Sequence, residues 1–158
     1  MLVERSAALI RASREDVRMS TSSLGSAAGV DPSMIEAFEA GTEQPSEAVL
    51  TRILRAARLR PSIPLALFAD EIIAVAREFH LRDVRVFGST VRGHDTDASD
   101  IDLLVSTTPA TSLFDLGGFA DAVESMTGFP VDVLLDDLLD DLEDDEHFRH
   151  VLVEAVPL

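Results

Sequence analysis

Phe87-Gly88-Ser89-Thr90-Val91-Arg92-Gly93 and, shortly after it, Ser99-Asp100-Ile101-Asp102-Leu103-Leu104-Val105 decide how this chain reads. Val84-Arg85-Val86-Phe87 predicts a strand that stops abruptly at Gly88-Ser89. A strand running into Gly-Ser and then a helical turn lets backbone come close to a ligand, with N–H groups facing it. Phosphate is the natural guest for such a turn. Ile101 to Val105 reads as a second strand, rich in branched residues. Asp100 and Asp102 are two apart, so their side chains leave one face while Ile101 and Leu103 point into the core. Adjacent carboxylates repel, and burial raises a pKa, unless a cation lies between them. Mg²⁺ takes a few carboxylates plus phosphate oxygens and water, which fits a phosphate turn next door. Asp132, inside the apolar strand Val131-Asp132-Val133-Leu134-Leu135, supplies a third carboxylate.

Working outward, Pro64 opens a helix with Leu65, Phe68, Ile72, Ala76 and Phe79 on one face, and Ser112 caps another that Gly128 stops. The order helix, strand, strand, helix, strand predicts a small α/β domain with helices packed on a short mixed sheet. Two prolines in Arg60-Pro61-Ser62-Ile63-Pro64 mark a boundary. Before it only helices are predicted. The first carries Leu2, Ala8, Leu9 and Ala12, with Ser13 as its stop. The second is capped by the serines at 20, 22 and 23 and ended by Gly29. The third starts at Asp31-Pro32 and ends at Gly41, and the fourth is capped by Ser46. The expected fold class is α+β: an all-α bundle over residues 1–60, a linker at 61–64, and the α/β domain over 65–158.

The chain has 158 residues, no cysteine, no Tyr and no Trp, and all 13 basic residues are Arg. Disulfides, zinc ribbons and thiol nucleophiles are thereby excluded. A hydrophobic share of 46% is enough for a real core. No apolar run approaches the roughly 20 residues of a membrane helix, and no secretory leader opens the chain, so a cytoplasmic protein is expected. Residues 1–69 hold 8 Arg and 8 Asp or Glu, whereas residues 70–158 hold 5 Arg and 21 acids, the whole net charge of −16. That surface repels a nucleic-acid backbone and suits metal ions or a basic partner.

The pattern Gly88-Ser89, a ten-residue gap, then Asp100-x-Asp102 between apolar residues resembles the polymerase-β-like nucleotidyltransferase superfamily. With Ser112-Leu-Phe-Asp-Leu116 and the ending Val153-Glu-Ala-Val-Pro-Leu158, residues 65–158 are similar to its smallest branch, the minimal nucleotidyltransferases. The resemblance implies transfer of a nucleoside monophosphate from an NTP, ATP in the first instance, to an acceptor hydroxyl, with loss of pyrophosphate. It implies that Asp100 and Asp102 hold two Mg²⁺ ions, and that Asp132 completes the second site or takes the acceptor's proton. Gly88 and Ser89 would cradle the triphosphate. Arg92 would neutralise it further, or else be a structurally paired Arg. His147 and His150 lack a third ligand and read as surface residues.

Residues 1–60 resemble Cro/C1-type helix-turn-helix domains, through Leu24-Gly25, Ala28-Gly29-Val30, Ile35, Phe38-Glu39-x-Gly41 and Pro45-Ser46. The third helix of such a domain enters the major groove, which here would present Ser33, Met34, Glu36 and Ala37 to bases. The helix departs from the pattern: it has no basic residue and carries Glu36 and Glu39. Phosphate contact, the main source of affinity, would fall to Arg11, Arg14, Arg18, Arg52, Arg55 or Arg58. A docking or dimerisation module is the other reading.

Asp136 to Glu146 carries eight carboxylates, with Leu138, Leu139 and Leu142 at helical spacing. It reads as a helix with a solvated face or as a contact for a basic partner. In the resembling family, such domains sit beside a HEPN-type ribonuclease toxin and silence it by transferring AMP to one of its tyrosines. The resemblance therefore implies an antitoxin with a cognate HEPN-type toxin as partner, homo- or hetero-oligomeric, binding its own operator DNA and no membrane. The lack of an appended substrate domain fits a protein acceptor. Two alternatives stand beside it: a non-catalytic antitoxin acting by steric binding, and a nucleotidyltransferase acting on tRNA or a small molecule.

Overall fold

A computed structural model describes residues 3–136 and 146–158. After a short 3₁₀ turn, the N-terminal helices are α1 (Ser6–Asp16), α2 (Thr21–Ala28), α3 (Pro32–Ala40) and α4 (Glu47–Ala56). Their ends follow the expected chemistry. Ser20 accepts from the Ser23 N–H at 3.0 Å, and Asp31 accepts from the Ser33 N–H at 2.9 Å with Pro32 in the first turn. Gly29 and Gly41 close α2 and α3 in the left-handed conformation. Ser13 does not stop α1. Its buried hydroxyl donates to the Leu9 carbonyl at 2.6 Å, so the helix absorbs it and runs on to Asp16.

Leu9, Ile10, Leu24, Ile35 and Ile53 are fully buried, where α1 meets α3 and α4 and where α2 packs on the same two helices. Glu39 is buried. Arg14 forks onto its carboxylate at 2.6 and 2.9 Å, and Arg11 donates to its backbone carbonyl at 2.6 Å. Arg14 also reaches the Met19 carbonyl at 3.0 Å. With the Glu39 side chain only 9% exposed, this pair is desolvated enough for its loss to matter. Glu39→Ala is expected to cost about 2 kcal/mol and to lower the melting of this unit by roughly 10 °C. Circular dichroism will read the shift, since no Trp or Tyr is present for fluorescence. A shift of under about 2 °C would mean that water serves Arg14 as well as Glu39 does.

The second half contains α5 (Ser62–Glu78), β1 (Arg82–Phe87), β2 (Ile101–Ser106), α6 (Leu113–Thr127), β3 (Val131–Leu135), α7 (Glu146–Glu154) and β4 (Val156–Pro157). The fold class is α+β. Ser62 to Pro64, expected as linker, form the first turn of α5, where a proline lacks only an N–H that has no helical partner. The helix is interrupted at Phe68 (φ −116°, ψ 15°). The chain divides there into two compact units, Met1–Leu67 with Thr96–Ala98, and Phe68–Asp95 with Ser99–Leu158.

The sheet order is β3-β2-β1-β4, with β2 and β3 parallel and both other pairs antiparallel. β4 escaped the sequence reading because Val156-Pro157 is too short to show alternation. Alternation and register place Arg85, Phe87, Asp102, Leu104, Asp132 and Leu134 on one face. Ile101, Leu103 and Val105 occupy the other and are 0% exposed. α7 covers the middle of the first face, with Val151 against Phe87 and Leu104. That leaves the carboxylates at the end of this face where β1 leaves the sheet. The acidic run from Asp137 to Asp145 lies outside the described residues.

A carboxylate cluster beside a glycine-serine turn

β1 leaves the sheet at Gly88, whose φ is +75°. A Cβ there would lie 2.0 Å from Asp102 Oδ2 and 2.9 Å from its Cγ, so only glycine lets the Asp102 side chain lie over this turn. The chain then makes one helical turn, held by Arg92 N–H to the Gly88 carbonyl (3.2 Å) and His94 N–H to the Ser89 carbonyl (3.0 Å). The Thr90 hydroxyl ties the turn back to the Phe87 carbonyl at 3.1 Å. The turn ends at Gly93, and no helix continues it before β2.

Asp100 sits just before β2, Asp102 within it, and Asp132 opposite Asp102 on β3, because the parallel register pairs the two residues directly. One carboxylate oxygen from each lies within 4.8 Å of those of the others. Asp100 and Asp132 are exposed and Asp102 is half-buried. Burial first, then the charges of Asp100 and Asp132, hold the Asp102 carboxyl above its ordinary range, with Arg92 opposing and Glu154 adding to the effect. An all-oxygen donor set of this kind suits a hard divalent cation such as Mg²⁺ and relieves the repulsion.

A raised pKa means that ionised Asp102 works against the fold. The cost is absent below the ordinary carboxylate range, where the group is protonated in folded and unfolded chains alike. It appears as pH rises through the folded-state pKa. In chelator at neutral pH, Asp102→Asn should therefore raise Tm by a few degrees. The gain should vanish below about pH 3.5, and added Mg²⁺ should raise the wild-type Tm while leaving the variant's unchanged. A variant that melts lower than wild type at neutral pH in chelator would contradict this electrostatic account.

Glu154, the last residue of α7, was given no role by the sequence reading. Its side chain is 12% exposed and accepts from Arg92 NH1 at 2.7 Å and from the Gly88 N–H at 3.3 Å. Arg92 is thus ion-paired with Glu154, and the Gly88 amide donates to the same carboxylate. The only hint lay in the ending Val153-Glu-Ala-Val-Pro-Leu158, where nothing in the spacing links Glu154 to residues more than sixty positions earlier. Ser89 differs: its hydroxyl is buried without a hydrogen-bond partner. A buried hydroxyl left this way costs about 1–3 kcal/mol, and its residue follows Gly88, the position that packs against the Asp102 carboxylate.

The other sequence-derived residues lie on α3, in the N-terminal unit. Ser33, Met34 and Glu36 are exposed and Ala37 is half-buried. Glu36 accepts from the Thr21 hydroxyl at 3.2 Å. Arg11 and Arg14 are occupied by Glu39, whereas Arg18, Arg52, Arg55 and Arg58 are exposed. His150 is exposed, and the His147 side chain lies outside the described residues. An open depression of about 580 Å³ among Arg82, Arg85, Ser106, Asp136 and Leu152 includes none of the expected site residues. Among the described residues no helix is long and apolar enough to cross a membrane.

A family profile described as "Nucleotidyltransferase domain" matches residues 70–156. A solved structure described as that of a candidate minimal nucleotidyltransferase is similar at 30% identity and a TM-score of 0.51, over 60% of this chain and 92% of that one. No curated protein matches the chain.

Proposed function

This chain belongs to the nucleotidyltransferase domain family over residues 70–156, and on that premise we propose that it is an antitoxin that transfers AMP from ATP to a tyrosine hydroxyl of a cognate HEPN-type toxin. The observation that carries the transferase chemistry is the convergence of Asp100, Asp102 and Asp132 against the glycine-serine turn, where Gly88 abuts Asp102. In the transfer, the acceptor oxygen bonds to the α-phosphorus, the α–β anhydride breaks, and pyrophosphate leaves. Asp100 and Asp102 hold the cation pair. When bound, two Mg²⁺ ions supply charge neutralisation at the phosphates and a more acidic acceptor hydroxyl. Asp132, the exposed member on the neighbouring strand, takes the acceptor's proton or completes the second cation site. Ser89 donates its hydroxyl to a phosphate oxygen.

A protein acceptor is favoured over tRNA by the charge of residues 70–158, which repels a phosphate backbone. A purely steric antitoxin has no use for three clustered carboxylates, which destabilise an empty site. Operator binding through α3 is the accompanying role of the N-terminal unit. Turning Glu39 inward leaves Glu36 as the acid on the exposed face of that helix, and Arg18, Arg52, Arg55 and Arg58 remain for phosphate contact.

The test is intact-mass spectrometry of the neighbouring gene's product, co-expressed with this protein or with its Asp100→Ala/Asp102→Ala variant. Whole AMP increments that appear only with the intact carboxylates establish the activity and its substrate. A tightly bound but unmodified partner points to steric neutralisation. If the product neither binds nor changes mass, the acceptor lies elsewhere. A gel shift with the upstream DNA across salt concentrations tests the operator role, and no salt-sensitive complex below about micromolar removes it.

A further inference from the structure

Two of the groups that the family resemblance assigns to a phosphate, the Gly88 amide and Arg92, are already engaged. One oxygen of Glu154 takes the Gly88 amide and the other takes Arg92, so a single carboxylate spans a backbone N–H and a guanidinium as two oxygens of a phosphate would. We propose that Glu154 is an internal stand-in for the nucleotide's polyphosphate, holding the Gly88–Arg92 turn until an incoming NTP displaces it. This inference rests on the nucleotidyltransferase reading and adds to it where the polyphosphate lies and what it must expel.

Charge makes coexistence of the two anions unfavourable. The site already holds Asp100, Asp102 and Asp132, and Arg92 is the cation whose charge is felt at Asp102. Glu154 is tolerated there because both of its oxygens have donors. A triphosphate carrying about four charges needs the same donors and would meet a like charge a few ångströms away, worth kilocalories at the effective dielectric of a half-exposed site. The way out is open: Arg92 is 48% exposed, so the pair faces water on that side. Glu154 is the last residue of α7, where a rotamer change disturbs no later helical turn. The Ser89 hydroxyl, buried and without a partner, is a further donor of the same turn.

The sign of the expected effect separates this role from a structural tie, whose loss would weaken the site. Calorimetry on the full chain in Mg²⁺ should use two probes: an ATP analogue with a methylene group between the α and β phosphorus atoms, and inorganic tripolyphosphate. Glu154→Gln should bind both about tenfold more tightly than wild type, as expected for removing one like charge, with adenosine unaffected. Glu154→Asp keeps the charge but is too short to reach both donors. It should tighten binding about twofold to threefold, and it serves as the test if the Gln variant does not fold. Equal or weaker binding by the folded variants overturns the stand-in and leaves Glu154 as a clamp on Arg92. If neither probe binds wild type or any variant, the nucleotide reading of the whole site falls with it.

Discussion

Asp102→Ala is expected to reduce nucleotidyl transfer by about 10³-fold or more while the protein stays folded. Asp102 is the central member of the cluster. Asp100 sits just before its strand and Asp132 faces it across the parallel pair, so its removal empties the middle of the cation site. The loss should appear in kcat, because cation-held charge acts on the phosphates as they react rather than on the base or sugar. Asp100→Ala should cost less, since Asp100 is exposed and outside the strand, and water can replace it in part. Asp102→Asn separates shape from charge. It keeps the packing over Gly88 and removes the anion, so it should be as inactive as the alanine variant. The readout is label transfer from α-labelled ATP to the acceptor, with Tm to confirm folding. Transfer within tenfold of wild type in either Asp102 variant would place the chemistry elsewhere.

The parts of this site that the sequence reveals are those encoded by spacing. Asp100-Ile101-Asp102 states its own geometry, because strand alternation leaves the two carboxylates no other relation. Asp132 is legible as an acid interrupting an apolar strand, though only the parallel register of β2 and β3 brings it opposite Asp102. The caps of α2, α3 and α4 are legible for the same local reason. What escaped is long-range. Glu154 reaches Gly88 across 66 positions, and Arg14 meets Glu39 across 25, distances over which no periodicity carries information. Glu39 therefore counts, from the sequence, only as one of two acids on α3, and the contact with Arg14 is what shows its side chain to be buried. Ser13 was misread by a different route. A serine near a helix end competes with the backbone in sequence terms, and only burial shows that its hydroxyl has been absorbed by the carbonyl of Leu9.

Gly88→Ala should reveal whether the turn and the carboxylates are one device. Two costs arise from one methyl group. Holding a non-glycine residue at φ +75° costs about 1–2 kcal/mol. The new Cβ also falls 2.0 Å from Asp102 Oδ2, so the carboxylate must rotate away from its place between Asp100 and Asp132. A displacement of about 1 Å in a group that positions reacting atoms costs on the order of 10²-fold in rate. The expected result is a kcat lowered about 100-fold together with a loss of roughly 2 kcal/mol in stability. Strain and clash can then be separated by a double-mutant cycle. In an Asp102→Ala background the methyl group has no carboxylate to meet, so Gly88→Ala should cost only the backbone term, about 1 kcal/mol less than in wild type. If the two substitutions instead add without coupling, Asp102 does not lie over Gly88 in solution. The close approach that gives this glycine its purpose would then be wrong, while the φ requirement would stand.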